Sequence, residues 1–472
     1  MMKNKLIENV SLVFAANIFV TIVSIILAIA IPKILSVENY GYWQLHVLYN
    51  GYTALLHWGW IDGVYVRYAG TNYHTLDKEK QHSQFVSLMV IEVIVSLLGF
   101  FVCKIFISDY EKLFSIVTVF AVSVFTIPSS MLLFLMQGGD RIKEYSIATV
   151  SGRLIYLVLS VMSLILYKNN FRSIIIASIL GRITTFIYTV YQCRDIVFCT
   201  GYNLKETIKE SFENIRCGIK VSIAYLTGNL IVGSIKYFIE SQWGVTVFGK
   251  ASLTISMTNI LMVLINSVGI VLLPIIRNVD SESQKKAYDR INRVLTTFLI
   301  FAFAVYYPIS VVLVRILPKY TESIAMMALI FPICLFESRM GLLNNIYLKA
   351  LRYEKTLLVV NFISAMLTII IAYVVVYIFK NFEISILLVI IMLLFRCSIT
   401  DFYIRKVLAM DNLFDLASGI IATIVFICTN NFIVNKVLSA VIYISFLIAY
   451  LLVFFKKILP SYKWLLARMK SR

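Results

Sequence analysis

Five basic residues draw attention because each lies inside a long apolar segment of the chain. They are Arg153, Arg182, Lys236, Arg339 and Arg396. A cationic side chain at the centre of a bilayer costs roughly 2.5 to 3.5 kcal/mol on insertion scales, so each of these needs a polar cavity or a buried counter-charge. Arginine forms bidentate hydrogen bonds with phosphate oxygens, and lysine attracts them as a point charge. The chemistry that this set suggests is the binding of an anionic molecule within the membrane.

The alternative for any one of these bases is a structural ion pair. Glu92, Glu240, Glu337 and Asp62 are the carboxylates expected at a similar depth, and Arg339 lies only two residues from Glu337. These acids are too few to neutralise all five bases, so the sequence predicts an excess of buried positive charge. For each base taken singly, ion pairing and ligand binding both remain open.

Polar side chains accompany two of the bases at helical spacing. The two stripes are Thr149, Arg153, Tyr156, Ser160 and Ser163, and Ser178, Arg182, Thr185, Thr189 and Gln192. Residues three or four positions apart lie on one face of a helix. Each of these two helices is therefore predicted to turn a polar face toward a cavity.

A third polar face is predicted on the second apolar segment, residues 41–62. Its members, spaced i, i+4, i+7 and i+11, are His46, Asn50, Thr53 and His57. Asn229 and Asn259 lie on comparable stripes further along the chain. Because such faces need water or protein opposite them in lipid, we predict that these six residues form the wall of a water-filled cavity.

The elements that must position these residues are membrane helices. Hydrophobic residues make up 60% of the 472-residue chain, and the mean hydropathy is +0.86. A bilayer core takes roughly 20 apolar residues per helix, and runs of that length recur throughout, whereas strands of a closed barrel would alternate in hydropathy. We predict an all-α polytopic bundle of fourteen helices. Their expected ranges are 8–31, 41–62, 83–107, 113–136, 145–167, 173–192, 219–240, 249–273, 291–314, 322–348, 355–379, 383–404, 412–431 and 437–455.

The helices are expected to form two related lobes of six, because similar polar spacings follow Val10-Ser11 and Val221-Ser222. Residues 1–202 form the N-terminal lobe, and 219–408 form the C-terminal lobe. Between them, the charged stretch 203–218 is predicted to be a linker helix on the inner membrane surface, with a plain solvated linker as the alternative. Residues 409–472 supply the last two helices and a basic tail. A site between two such repeats is typical of transporters.

Basic residues concentrate at the termini and in alternate loops, which places both termini in the cytoplasm. The net charge of +18 then reflects membrane topology, and nucleic-acid binding is not expected. The first helix is expected to be uncleaved. The seven cysteines have no CxxC spacing, and no P-loop, GxSxG motif or metal-spaced His/Asp cluster is present. We therefore expect that the protein binds no cofactor or metal and that it is not an enzyme.

Several segments resemble the polysaccharide transporter family, which comprises the O-antigen and capsule repeat-unit flippases of the multidrug, oligosaccharidyl-lipid and polysaccharide exporter superfamily. The segments are IPKILSVENYGYWQL (31–45), HWGWIDGVYVRYAG (57–70), MQGGDRIKEYS (136–146), VLLPIIR (271–277) and RILPKYTESIAMMALIFP (315–332). Together with the fourteen predicted helices they span most of the chain. One departure concerns helix seven, where family members often carry Asp-Arg and this chain has Ile235-Lys236, which keeps a base and loses the acid.

The resemblance implies a flippase of the bacterial inner membrane. It would carry an undecaprenyl-diphosphate-linked oligosaccharide from the cytoplasmic to the outer leaflet by alternating access, for surface polysaccharide biosynthesis. Its partners would be the lipid-linked oligosaccharide, membrane lipids and polysaccharide polymerase machinery. The five bases would then bind the diphosphate or acidic sugars, and the six-residue polar wall would bind the sugar part.

Other functions fit parts of the same pattern. A lipid II flippase would use the same diphosphate chemistry with different sugars. An exporter of small cationic drugs would be expected to carry net acid in its cavity. A membrane-bound polymerase or ligase would need a sizeable outer loop with catalytic residues, and all the predicted outer loops are short and lack histidine.

Overall fold

The computed structural model describes residues 2–277 and 284–470, and every regular element among them is helical. The prediction of an all-α membrane bundle is confirmed. Among the described residues, eleven helices are long and apolar enough to cross a membrane, or up to twelve if the bent pair Pro318–Ile330 and Ile333–Ala350 is one span. Apolar runs of this length become helices because a helix satisfies its own backbone hydrogen bonds in lipid.

The chain divides into two compact units, Met1–Asn229 (unit 1) and Leu230–Arg472 (unit 2). The helices that begin in unit 1 are α1 (Met2–Ile34), α2 (Val37–Asn50), α3 (Trp60–Tyr68), α4 (Lys78–Phe106), α5 (Tyr110–Gly138), α6 (Ile142–Leu166), α7 (Phe171–Gln192), α8 (Arg194–Val197) and α9 (Leu204–Arg277). The helices of unit 2 are α10 (Gln284–Ala302), α11 (Tyr306–Ile316), α12 (Thr321–Ile330), α13 (Ile333–Arg339), α14 (Asn345–Ala350), α15 (Glu354–Tyr373), α16 (Phe382–Val407), α17 (Phe414–Phe432) and α18 (Lys436–Lys470). A π-helical turn, Met340–Asn344, joins α13 to α14.

The predicted second helix, 41–62, is wrong as a continuous element. It is broken into α2 and α3, with a short 3-10 turn at Thr53–Leu55 between them. Trp58 and Gly59 adopt positive φ angles of 54° and 83°, which a helix cannot contain. A Cβ atom on Gly59 would lie 2.6 Å from the backbone nitrogen of Ile219. The break therefore accompanies a close backbone contact with a distant segment of unit 1.

The segments expected as a linker helix and as helices seven and eight run together in α9. Its one non-helical residue is Gly244, with φ 79° and ψ 177°. This merging and the break after α2 explain why fewer spans are found than the fourteen predicted. The charged first part of α9 is bound to unit 1, because Arg67 of α3 pairs with Glu210 at 2.8 Å and with Glu213 at 2.9 Å.

Each unit has its own packed interior. In unit 1, Val64, Leu88 and Met131 are fully buried in a cluster that joins α3, α4 and α5. In unit 2, Phe303 and Phe426 lie with ring centroids 5.2 Å apart and link the end of α10 to α17. These clusters hold the helices that carry the polar residues described next.

Candidate functional site

A polar cavity of about 220 Å³ lies within unit 1 among α5, α6 and α7. Its lining residues are Thr126, Ser129, Ser130, Leu133, Thr149, Gly152, Arg153, Tyr156, Ser178, Gly181, Arg182 and Thr185. Two arginines thus share one cavity with many hydroxyl groups. None of these described lining residues is acidic. We call this site the twin-arginine cavity.

A close crossing of α6 and α7 builds this cavity. A Cβ atom on Gly152 would lie 2.7 Å from the carbonyl oxygen of Gly181, and one on Gly181 would lie 2.6 Å from that of Gly152. Small residues at membrane helix crossings allow such backbone contact. Each glycine is followed directly by an arginine, so the crossing brings Arg153 and Arg182 to the same place.

The contacts of the arginines leave them available to an anion. Arg182 donates from Nη1 to the Thr126 hydroxyl at 3.3 Å, a long and neutral hydrogen bond. Arg153 is exposed in the described structure. Two like charges with hydroxyl neighbours favour a ligand that carries more than one negative charge, because such a ligand neutralises both guanidinium groups at once. The remaining hydroxyl groups can bind polar oxygens next to that charge.

Arg339 lies in a different environment, in unit 2. Its Nη2 atom is 3.3 Å from Asp401 Oδ1, and both side chains are fully buried. Arg405 binds the other carboxylate oxygen at 2.8 Å, and the Tyr288 hydroxyl donates to Asp401 Oδ1 at 2.5 Å. The ion-pair alternative left open for Arg339 therefore applies, with Asp401 on α16 as the counter-charge in place of the carboxylates that the sequence suggested.

Arg396 is likewise paired within unit 2. Its Nη2 atom lies 3.0 Å from Glu337 Oε2. The ion-pair alternative applies here too, and Glu337, one of the carboxylates expected at this depth, pairs with Arg396. The sequence placed Glu337 two residues from Arg339, but a helix turns residues at that spacing away from each other.

Lys236 is buried in unit 2, with its ammonium group 5.3 Å from the centroid of the Phe248 ring. It does not line the twin-arginine cavity. Of the two predicted asparagines, Asn229 accepts a hydrogen bond at its backbone oxygen from the Tyr52 hydroxyl at 3.5 Å. Asn259 is exposed in the described structure.

The four residues predicted on one face of helix two do not share a face, because the helix breaks between them. His46 is buried in α2, with its Nδ1 atom 3.0 Å from the Thr118 hydroxyl. Thr53 donates its hydroxyl to the carbonyl oxygen of Asn50 at 3.0 Å. His57 lies in the unwound stretch before Gly59. The prediction that these four residues lie on one helix face is therefore wrong, and their role as a sugar-binding wall stays a prediction.

Sequence reasoning missed the contribution of α5. Thr126, Ser129 and Ser130 complete the cavity opposite the arginines, yet they follow an apolar run and flank Pro128. A usable signal was present in the two Gly-Arg pairs, Gly152-Arg153 and Gly181-Arg182, which occupy the middle of neighbouring helices.

Comparison with known proteins gives a fold and no closer relative. A scan against protein-family models and a search of curated proteins find no match. Among solved structures, the chain is similar to the lipid II flippase MurJ in an inward closed conformation, with a TM-score of 0.68 and 12% identity, over 96% of this chain and 100% of that chain. The chain has the fold of the MOP superfamily transporters. A multidrug resistance MATE transporter of that superfamily matches in its inward-facing conformation, with a TM-score of 0.63 and 12% identity, over 82% of this chain and 98% of that chain. The outward-facing conformation gives a TM-score of 0.52 at the same identity, over 81% and 95%.

These similarities agree with the fold that the sequence resemblance implies. Together with the apolar helices they indicate a multi-pass membrane protein with a transporter fold. The substrate must be argued from the residues of this chain, because MATE exporters and a lipid II flippase share the fold.

Proposed function

We propose that this protein is a flippase for an undecaprenyl-diphosphate-linked oligosaccharide, which it moves across the bacterial inner membrane by alternating access for O-antigen or capsule biosynthesis. The observation that carries the proposal is the twin-arginine cavity. Arg153 and Arg182 equal the two phosphates of a diphosphate in number and are opposite to them in charge, and the hydroxyl groups of the walls can hydrogen-bond to the adjoining sugar.

The charge of the cavity argues against a small cationic substrate. A cation would meet two guanidinium groups and no carboxylate among the lining residues, and like charges repel strongly where water is scarce. An anionic lipid head is attracted instead. With the inside negative, outward movement of about two negative charges is favoured by roughly 4 to 5 kcal/mol per 100 mV, which assists export in this direction.

A lipid II flippase is the second candidate. The similarity to a protein of that name over 96% of this chain favours it, and its diphosphate would use the same two arginines. The two candidates differ in the sugar part of the substrate, so a genetic test must separate them.

The test replaces the cavity arginines by glutamine, singly and together, in a strain that depends on this protein. Arg172→Gln is the matched control, because Arg172 begins the same helix α7 but pairs with Glu111 at 2.9 Å outside the cavity. At equal protein level, R153Q and R182Q should each lower surface polysaccharide and raise the lipid-linked precursor, and R172Q should change neither.

Unchanged polysaccharide in the R153Q/R182Q double variant would refute the proposal. Rescue of cells depleted of their lipid II flippase, without an effect on surface polysaccharide, would favour the second candidate.

A further inference from the structure

A second cavity in unit 1 is larger than the first and apolar. Its volume is about 320 Å³, roughly ten times the ~30 Å³ that one water occupies in the liquid. Its lining comes from α4, α5 and the end of α2 with the unwound stretch that follows. The lining residues are Tyr49, Tyr52, Thr53, Leu55, Leu56, Cys103, Ile107, Ile116, Val119 and Phe120. We call it the apolar pocket.

The few polar groups of this pocket are used within the protein. The Thr53 hydroxyl donates to the Asn50 carbonyl oxygen at 3.0 Å, and the Tyr52 hydroxyl is directed at the Asn229 carbonyl oxygen at 3.5 Å. The surface left to a ligand is therefore hydrocarbon and aromatic carbon. Such a surface suits a hydrocarbon chain and offers little to a sugar.

Apolar residues that line the pocket or lie next to it are exposed. Leu55 is 55% exposed, and Ile105 and Phe106 next to Cys103 are 76% and 80% exposed. Exposed apolar side chains on a helix of this length face lipid in a membrane. A hydrocarbon chain can therefore enter the pocket from the bilayer without crossing a polar surface.

One helix connects the apolar pocket to the twin-arginine cavity. Val119 lines the former and Thr126 the latter, and both belong to α5. Seven residues are close to two helical turns, so the two side chains lie on the same face about 10 Å apart along the axis. A polar site for phosphates and an apolar site for a chain thus follow each other along α5.

From this arrangement we infer that the apolar pocket holds the first isoprene units of the polyprenyl chain while the diphosphate lies against Arg153 and Arg182. The inference rests on the proposed function and adds a site for the lipid part of the substrate. An ordinary membrane lipid lacks the paired phosphates that the neighbouring cavity would recognise. The order of the two sites matches that of a polyprenyl diphosphate, in which the chain begins directly at the phosphate.

Cys103 provides a native reporter for the test. It is half-buried at the pocket, whereas Cys217 and Cys428 are exposed elsewhere. The purified full-length protein is treated with a membrane-permeant maleimide, and the alkylation rate of each cysteine is followed by mass spectrometry. A polyprenyl diphosphate should slow alkylation of Cys103 at least severalfold and leave Cys217 and Cys428 unchanged. Inorganic pyrophosphate should not protect Cys103, and phosphatidylglycerol should protect it far less than the polyprenyl diphosphate.

The outcomes separate this inference from the proposed function. Equal protection by phosphatidylglycerol would make the pocket a general lipid crevice and overturn the inference. A different result is that the protein binds polyprenyl diphosphate, loses that binding in the R153Q/R182Q variant, and shows no protection of Cys103. That result would overturn the inference and leave the proposed function standing. Protein that does not bind polyprenyl diphosphate at all would refute the proposed function. A photoreactive polyprenyl diphosphate, which needs no variant, should cross-link to peptides within 103–120, and cross-links confined to other regions would contradict the assignment.

Discussion

Asp401 offers the sharpest test of whether the buried bases of unit 2 stabilise the fold or bind substrate. Its carboxylate accepts from Arg339, Arg405 and the Tyr288 hydroxyl, at 3.3, 2.8 and 2.5 Å. Asp401→Asn keeps the shape and removes the charge. Arg339 and Arg405, which are 0% and 2% exposed, then lose their shared counter-charge.

The size of the effect follows from burial. Removing one partner of a buried ion pair typically costs about 3 to 5 kcal/mol, because the other charge is left uncompensated. At roughly 2 to 4 °C per kcal/mol for a unit of this size, D401N should lower the thermal transition by about 6 to 20 °C. Glu337→Gln is the matched control. Glu337 is 28% exposed although its partner Arg396 is only 6% exposed. Water can therefore partly screen the charge that E337Q leaves behind, and E337Q should cost less than D401N.

The measurement is the thermal unfolding of purified protein by intrinsic fluorescence, together with surface polysaccharide at matched protein level. If Arg339 is structural, R339Q should also lose stability, but less than D401N, because Asp401 keeps its pair with Arg405 at 2.8 Å. The D401N/R339Q double variant should lose less than the sum of the two. A D401N protein with unchanged thermal stability would refute this reasoning. If R339Q instead keeps normal stability and loses transport, Arg339 would be assigned to substrate binding.

Three further perturbations follow from the packing of unit 1. Gly152→Ala should weaken the α6–α7 crossing and lower both stability and transport, because its Cβ would lie 2.7 Å from the Gly181 carbonyl oxygen. Thermal unfolding measures the first effect and accumulation of the lipid-linked precursor the second. Wild-type values for both would contradict the close backbone contact at this crossing. Gly63→Ala should destabilise the protein more strongly, because its Cβ would lie 1.8 Å from the Asn214 backbone oxygen and two helix backbones would have to separate. Normal expression and a normal unfolding temperature would contradict this prediction. The Glu92 carboxyl is fully buried on α4, and no basic residue of the described chain pairs with it. Glu92→Gln should therefore keep the unfolding temperature, whereas Glu92→Lys should lower it. An equal loss for both variants would show that the charged carboxylate is required.

The fold class could be predicted from the sequence because long apolar runs leave a chain few choices in lipid. The positions of Arg153 and Arg182 on polar faces were also readable, since helical spacing is a local property. The break before Gly59 was not, because its cause is the backbone of Ile219, which lies far away in the sequence. A polar face drawn across residues 41–62 assumed a continuity that this distant contact removes.

The partner of Arg339 was missed for a similar reason. Asp401 lies 62 positions away on another helix, and its place near the end of the predicted helix 383–404 gave no sign that it would be fully buried. Pairing between distant helices depends on their packing, which periodicity does not encode. The sequence could count only the charges inside apolar runs. The structure shows that Asp401 and Arg405 are buried as well and which charges neutralise each other.

The pairing pattern sharpens where an anionic substrate should bind. In unit 2, Arg339 and Arg396 have carboxylate partners within 3.3 Å, so their fields are largely cancelled nearby. In unit 1, Arg153 and Arg182 share a cavity whose described lining contains no acid, so their fields add. An anion responds to the net potential and not to the number of bases. The substrate phosphates are therefore expected at the crossing of α6 and α7, and replacing Arg396 should affect transport far less than replacing Arg182.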